Sequence, residues 1–129
     1  MPRLALLVSL LCAVCGGARA ADPGSVRFVV YFQEWSAALD DSAQDVINRA
    51  AQAIKSHPRS PATVTGFADP TGSKEANRLL SELRAQRVID QLQADGVPHA
   101  RLSRHGRGSV KFALTSQESR RVEVEVGSR

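Results

Sequence analysis

Cysteine, histidine and long apolar runs are all scarce in this sequence of 129 residues. The only two cysteines lie within the first twenty positions, so beyond them no disulfide framework and no cysteine-based metal site or nucleophile is available. The three histidines lack the local spacing of a metal motif, and no serine lies in a nucleophile-elbow sequence. The sequence therefore predicts no catalytic residue, no metal site and no cofactor.

The start of the chain is typical of a signal peptide, here residues 1–20. Basic Arg3 precedes an apolar run from Leu4 to Val14, and small residues lead to Ala20, after which we expect cleavage. The run is about half the roughly 20 residues that cross a bilayer, so a membrane anchor is the weaker alternative. Lipidation is also the weaker alternative, because Cys12 and Cys15 follow bulky residues.

The charge of the exported chain argues against nucleic acid as a partner. There are 17 basic side chains, two of them in the leader, and 13 acidic ones, so the mature chain carries a net charge of +2. Nucleic-acid-binding domains usually carry a much stronger basic excess. No membrane span is predicted after the leader.

Strand and helix patterns alternate along the remaining chain, after a short lead-in at residues 21–25. The predicted elements are strands at 26–32, 62–67, 101–106 and 120–126 and helices at 42–56 and 73–95. The sequence from Asp40 to Ser42 offers cap chemistry for the first helix, with Asp45 as the partner of Ser42 in a capping box, and Ser73 can cap the second. The order β-α-β-α-β-β predicts an α/β fold (an α+β sandwich), with a mixed sheet and helices packed on one face.

Three polar residues around the second predicted helix form a candidate binding site. Asp69 follows the second strand, Asn77 lies in the first turns of the helix, and Arg84 comes seven residues later on nearly the same face. Arg84 is also in register with the apolar stripe of Leu80, Leu83, Val88 and Leu92. A charge within such a stripe requires a partner or a ligand, because burying it alone is costly.

Two interpretations of this arrangement follow from spacing alone. Arg84 can give two parallel hydrogen bonds to a carboxylate while Asp69 holds a neighbouring ammonium, which suits a zwitterionic amino-acid end. The positive end of the helix near Ser73 favours the same anion. The alternative is a structural salt bridge between Asp69 and Arg84, a common arrangement in folded proteins.

The stretch from Thr65 to Ala85, with Arg120 to Glu123, resembles the OmpA-like peptidoglycan-associated domain found in OmpA, Pal and MotB. The matching positions are Gly66, Asp69, Gly72, Asn77, Leu80, Ser81, Arg84, Ala85, Val88, Leu92, Gly96 and Arg120 to Glu123. The resemblance extends over nearly all of the mature chain and assigns residues 26–127 to one OmpA-like domain.

This resemblance implies non-covalent binding of peptidoglycan through the diaminopimelate of its stem peptide. Asp69 and Arg84 match the family's two binding residues, and the matching positions also suggest contacts from Thr71, Asn77 and Arg120. From its place in the fourth strand, Arg120 can instead pair with a helix carboxylate. With the leader, the resemblance implies a periplasmic protein that links the wall to the envelope, in association with the outer membrane.

The sequence departs from the family pattern on both sides of this site. Phe67 and Ala68 replace an aromatic or histidine residue and a threonine before Asp69, and the loss of that threonine removes a hydroxyl that can orient the aspartate. Gln33 replaces an acidic or amide residue, and Trp35 is new. A tryptophan here either stacks on a ligand or covers the core, and the core is the favoured interpretation.

These departures leave a second function open. A domain of this fold that has lost wall binding would serve as a protein-interaction module, with another envelope protein as its partner. Binding to purified sacculi separates the two functions.

Overall fold

Four strands and two long helices make up the part of the chain that the computed structural model describes, residues 25–109 and 119–127. The elements are β1 (Val26–Tyr31), α1 (Asp41–Ser56), β2 (Ala62–Ala68), α2 (Lys74–Ala94), a 3₁₀ turn (His99–Arg101), β3 (Leu102–Ser109) and β4 (Arg121–Val126). The predicted signal peptide lies outside these residues, as does the lead-in except for its last residue. Neither helix in the described ranges is long and apolar enough to cross a membrane.

The strands form one mixed sheet in the order β1-β4-β2-β3. Strand β4 is antiparallel to both β1 and β2, whereas β2 and β3 are parallel. The last strand thus lies between the first two, and the ends of β1 and β2 face the start of β4. This arrangement confirms the predicted mixed sheet and places three chain segments at one edge of the domain.

Every second side chain along the strands faces the helices, and these side chains form the sheet's part of the core. Val122, Val124 and Val126 of β4 are buried and face the helices, together with Val64 of β2. They form one apolar cluster with residues of both α1 and α2. The predicted class, with helices on one face of the sheet, is confirmed.

The helix ends show which cap predictions were correct. Helix α1 is capped by Asp40, whose side chain accepts a hydrogen bond from the Ala43 N–H at 2.7 Å. The predicted cap segment is therefore confirmed, whereas the capping box of Ser42 with Asp45 was wrong. Helix α2 is capped by Ser73 as predicted, at 3.0 Å from the Ala76 nitrogen. Gly96 follows its end at φ +100°, where glycine avoids the steric cost of a side chain.

Helix α2 buries polar side chains in its first half, and this corrects its predicted apolar stripe. Leu83 is 52% exposed and therefore outside the stripe. The helix instead turns Asn77, Ser81 and Arg84 inward. The second half, with Val88 and Leu92, is buried as predicted.

Glycine and serine allow α2 to lie unusually close to β2 and β3. A Cβ atom at Gly66 would collide with the backbone carbonyl of Ser81. The Ser81 hydroxyl also accepts a hydrogen bond from the Gly108 N–H at 2.9 Å. This close approach sets the height of α2 above the sheet and places Arg84 beside the end of β2.

Candidate ligand-binding site

Asp69 lies directly after β2 and is 6% exposed. Its Oδ1 accepts a hydrogen bond from the Thr71 hydroxyl at 2.6 Å. Its Oδ2 lies 3.3 Å from Nη1 of Arg120, which forms an ion pair with it. The family's threonine hydroxyl is missing here because Ala68 stands in its place. The hydroxyl of Thr71 binds Asp69 instead.

The ionised form of Asp69 is favoured despite burial. Burial alone raises the pKa of this carboxyl, but the hydrogen bonds from Thr71 and Arg120 and the charge of Arg120 together outweigh it. The net result is a pKa below the ordinary value. Asp69 is therefore negatively charged at neutral pH.

Arg120 precedes β4 and connects three segments of the chain. Its Nε donates to the Phe32 carbonyl at 3.2 Å, and its own carbonyl accepts from the Phe32 N–H at 2.9 Å. Its charged partner is Asp69, so the alternative pairing with a helix carboxylate was wrong. Arg121 lies on the outer face of the sheet, with its guanidinium 4.1 Å from the centre of the Phe67 ring.

Arg84 is completely buried and holds backbone carbonyls from two segments. Nε donates to Ser36 at 2.8 Å, Nη2 to Gln33 at 2.9 Å and Nη1 to Phe67 at 3.3 Å. Since a guanidinium has five N–H donors, each terminal nitrogen retains one N–H without a partner among the described residues. The Phe32 ring lies 5.2 Å from its central carbon.

The surroundings of Arg84 disfavour its positive charge. Burial is the main cause that lowers its pKa to about 10, repulsion from Arg120 adds to this effect, and attraction from Asp69 opposes it. Arg84 is still protonated at neutral pH. The charged cluster of Asp69, Arg84 and Arg120 thus contains two cations and one anion.

Asn77 and Thr71 shape the loop that carries Asp69. Asn77 is 1% exposed and donates from Nδ2 to the Thr71 carbonyl at 2.6 Å. Thr71 is exposed and presents its hydroxyl to Asp69. The amide and the hydroxyl together fix the turn between β2 and α2.

The structure brings together all five residues that the sequence singled out, but through different contacts from those predicted. Asp69 pairs with Arg120, and Arg84 donates its hydrogen bonds to backbone carbonyls, so the salt bridge between Asp69 and Arg84 is not found in the described ranges. Arg84 lies beneath the surface, and Arg120, with 15% of its side chain exposed, is the more accessible cation.

Sequence reasoning missed the part played by residues 33–36. The carbonyls of Gln33 and Ser36 bind Arg84, and backbone acceptors leave no signal in a sequence. The favoured interpretation of Trp35 was also wrong, because this residue is 53% exposed and does not belong to the core. Phe67 contributes its carbonyl to this site, while its ring lies beneath Arg121.

Among the described residues, no group of three or more histidine, cysteine, aspartate or glutamate side chains is arranged to hold a metal ion. The site is instead built from guanidinium, carboxylate, hydroxyl and amide groups. Such groups recognise small charged ligands through hydrogen bonds.

Comparison with known proteins gives consistent matches over this domain. The family model described as OmpA family matches residues 31–124. The chain is 34% identical over 103 residues to the peptidoglycan-associated lipoprotein of Agrobacterium fabrum, an alignment that covers 74% of this chain and 58% of that protein. It is 33% identical over 103 residues to the peptidoglycan-binding protein ArfA of Mycobacterium tuberculosis, with 75% and 32% covered. The chain thus spans only part of the length of these relatives.

Solved structures share the fold. The peptidoglycan-associated lipoprotein from Burkholderia pseudomallei superposes with a TM-score of 0.68 at 27% identity, covering 78% of this chain and 90% of that one. The cell wall anchor of the T6SS from Pseudomonas aeruginosa gives a TM-score of 0.65 at 27% identity, covering 82% and 83%.

Proposed function

This chain belongs to the OmpA family, and we propose that its domain binds peptidoglycan non-covalently, without catalysis, by recognising the diaminopimelate of the stem peptide. The names of the relatives, peptidoglycan-associated and peptidoglycan-binding, support the wall as the ligand. The choice of diaminopimelate is supported by the chemistry of the charged cluster.

One observation carries the proposal: the charged cluster of Asp69, Arg84 and Arg120 holds two guanidiniums but one carboxylate. Asp69 neutralises Arg120 directly, while Arg84 is surrounded by carbonyls, an aromatic ring and a second cation. An added carboxylate would compensate this excess and raise the pKa of Arg84 towards its ordinary value. The site therefore favours a ligand with an anionic group.

The free end of diaminopimelate presents both an ammonium and a carboxylate. We assign the ammonium to Asp69, which remains ionised at neutral pH. The carboxylate lies between Arg120 and the start of α2 at Ser73, where the helix dipole also favours an anion. Thr71 and Asn77 hold the loop in the shape that this contact requires.

Arg84 acts from beneath the ligand. Its positive charge attracts the carboxylate through a poorly solvated region, where charges interact more strongly than in water. This contribution is lost when Arg84 is replaced.

The proposed place of action follows from the leader. A cleaved signal peptide would deliver the domain to the periplasm, where it would link the wall to the envelope. A second envelope protein is the partner that such a link requires.

Co-sedimentation with purified sacculi tests the function. Asp69→Asn keeps the size of the side chain and removes its charge, so we expect it to abolish sedimentation with sacculi that contain diaminopimelate. Asp90→Asn makes the same change on an exposed part of α2, where the carboxylate accepts a hydrogen bond from Gln86, and should sediment like the wild type. Circular dichroism and urea unfolding serve as controls that test whether both variants are folded.

Two outcomes contradict the proposal. A wild-type domain that remains in the supernatant would indicate a protein-interaction module instead. Full sedimentation of a folded Asp69→Asn variant would exclude the charged cluster as the binding site. Free diaminopimelate as a competitor distinguishes recognition of the stem peptide from recognition of the glycan.

A further inference from the structure

Residues 33–36 form a tight turn, called here the Trp35 turn, that Arg84 holds at both ends. The Ser36 N–H donates to the Gln33 carbonyl at 3.2 Å and closes the turn. Arg84 donates to the carbonyls of both residues, at 2.9 and 2.8 Å. The turn is therefore fixed to the charged cluster by a buried cation.

Trp35 occupies the position of this turn that suits a tryptophan least. Its φ is +53°, and it is the only non-glycine residue with positive φ among the described residues. This backbone conformation is costly for a bulky side chain, and glycine or asparagine is usual in it. The cost is not offset by placing the indole in the core, because the residue is 53% exposed.

The indole lies against the turn that carries the ligand-binding residues. A Cβ atom at Gly72 would lie 2.7 Å from Cη2 of Trp35, so only glycine leaves room for the ring. Gly72 directly follows Thr71, whose hydroxyl binds Asp69. The six-membered ring of Trp35 therefore lies against the loop that carries Thr71 and Asp69.

We propose that Trp35 is a specificity-determining residue of the wall site, where it contacts the apolar part of the stem peptide next to the diaminopimelate end. The proposal rests on the proposed function. Strained residues at half-exposed positions are typical of binding sites, where the strain serves contact with a ligand. An indole offers a rigid apolar surface at a small entropic cost.

The position of the Trp35 ring indicates which part of the ligand it contacts. Trp35 lies beside Gly72, one residue from Thr71, so the ligand atoms that it contacts must adjoin those at Asp69. In peptidoglycan these atoms are the methylene groups of the diamino acid and the methyl or methylene groups of the next stem residues. The sugars lie at the far end of the stem.

The chain contains a single tryptophan, so its fluorescence reports on this site alone. We expect titration with a stem tetrapeptide that contains diaminopimelate to shift the emission to shorter wavelengths, because the ligand removes water from the indole. Free diaminopimelate should give a smaller change, and the wall disaccharide without peptide should give none. A shift with the disaccharide alone would overturn the choice of the stem peptide.

Trp35→Asn separates a binding role from a structural one. Asparagine tolerates positive φ, so we expect the free energy of unfolding to remain equal or to rise, while calorimetry shows that the Kd for the tetrapeptide increases by about tenfold. Trp35→Phe should recover part of the affinity. The control is Tyr31→Asn, which removes an exposed aromatic residue from the outer face of β1 and should leave the Kd unchanged.

The outcomes distinguish this inference from the proposed function. If the wild type binds the tetrapeptide, Asp69→Asn does not and Trp35→Asn binds as tightly as the wild type, the role of Trp35 is wrong and the function stands. If the wild type binds neither sacculi nor tetrapeptide, both are wrong. A loss of stability in Trp35→Asn that matches its loss of affinity would assign Trp35 a structural role and overturn the inference.

Discussion

The Nε group of Arg84 donates a hydrogen bond to the carbonyl of Ser36 at 2.8 Å, across 48 positions of the sequence. The helix that supplies the buried cation thereby also orients the turn that follows β1. Replacement of Arg84 consequently affects both the charge of the site and the shape of its rim. The two effects require separate measurements.

Arg84→Ala should lower the free energy of unfolding by about 3 kcal/mol, because it leaves three carbonyls without their donor in a buried region. Urea unfolding at neutral pH measures this change. Loss of sacculus binding by this variant is therefore informative only when the folded fraction is known. An unchanged free energy of unfolding would contradict the role of Arg84 in holding the Trp35 turn.

Asp69 should contribute a pH-dependent part of the stability. Its pKa in the folded domain lies below the ordinary value of 3.8, so its contribution is complete above pH 3.8 and is lost as the pH falls through the lower, folded pKa. We expect Asp69→Asn to be less stable than the wild type at pH 7, with a smaller difference at the acidic end. Unfolding curves over this range test it, and a constant difference would contradict the ion pair.

Gly66→Ala should destabilise the domain by about 2 kcal/mol or more, because the new methyl group collides with the backbone of α2 at Ser81. The effect should extend to the site, since α2 carries Arg84. Thr65→Ala, at the neighbouring outward position of β2, is the control and should cost less than about 1 kcal/mol. Similar losses in both variants would show that the close approach of α2 is unimportant.

Arg101 should stabilise the fold without affecting the ligand. Its Nη2 lies within hydrogen-bond distance of the carbonyls of Ile54, His57 and Ser60, which surround the end of α1. Arg101→Ala should therefore lower the free energy of unfolding by about 1 to 2 kcal/mol and leave sacculus binding intact. Arg104→Ala, which removes one exposed bond to Gln86, should change neither measurement.

The helix signals in the sequence were reliable where one residue had the required chemistry. Ser73 begins α2 as predicted, because it supplies a hydroxyl acceptor, and Gly96 follows the end of the helix, where it accepts positive φ. At α1 several neighbouring residues offered an oxygen, and the choice between Asp40 and Ser42 depends on the path of the incoming chain. The residues around the start of a helix do not indicate the direction from which the chain arrives.

The buried face of α2 shows the limit of apolar periodicity. Arg84 was recognised as inward-facing, yet Leu83 was also placed inside, although neighbouring residues of a helix diverge by about 100°. The polar side chains of Asn77 and Ser81 occupy the space that a purely apolar stripe assigns to leucine. They are stable there because their partners come from loops and strands, which a helical pattern does not reveal.

The charged cluster and its rim combine groups from position 33 to position 120. A chain that is not yet folded, or one cut within the sheet, holds these charges far apart and has no preformed ligand site. Ligand binding would therefore begin only once folding is finished, and proteolysis within the sheet would release a bound ligand rather than leave a fragment that still holds it.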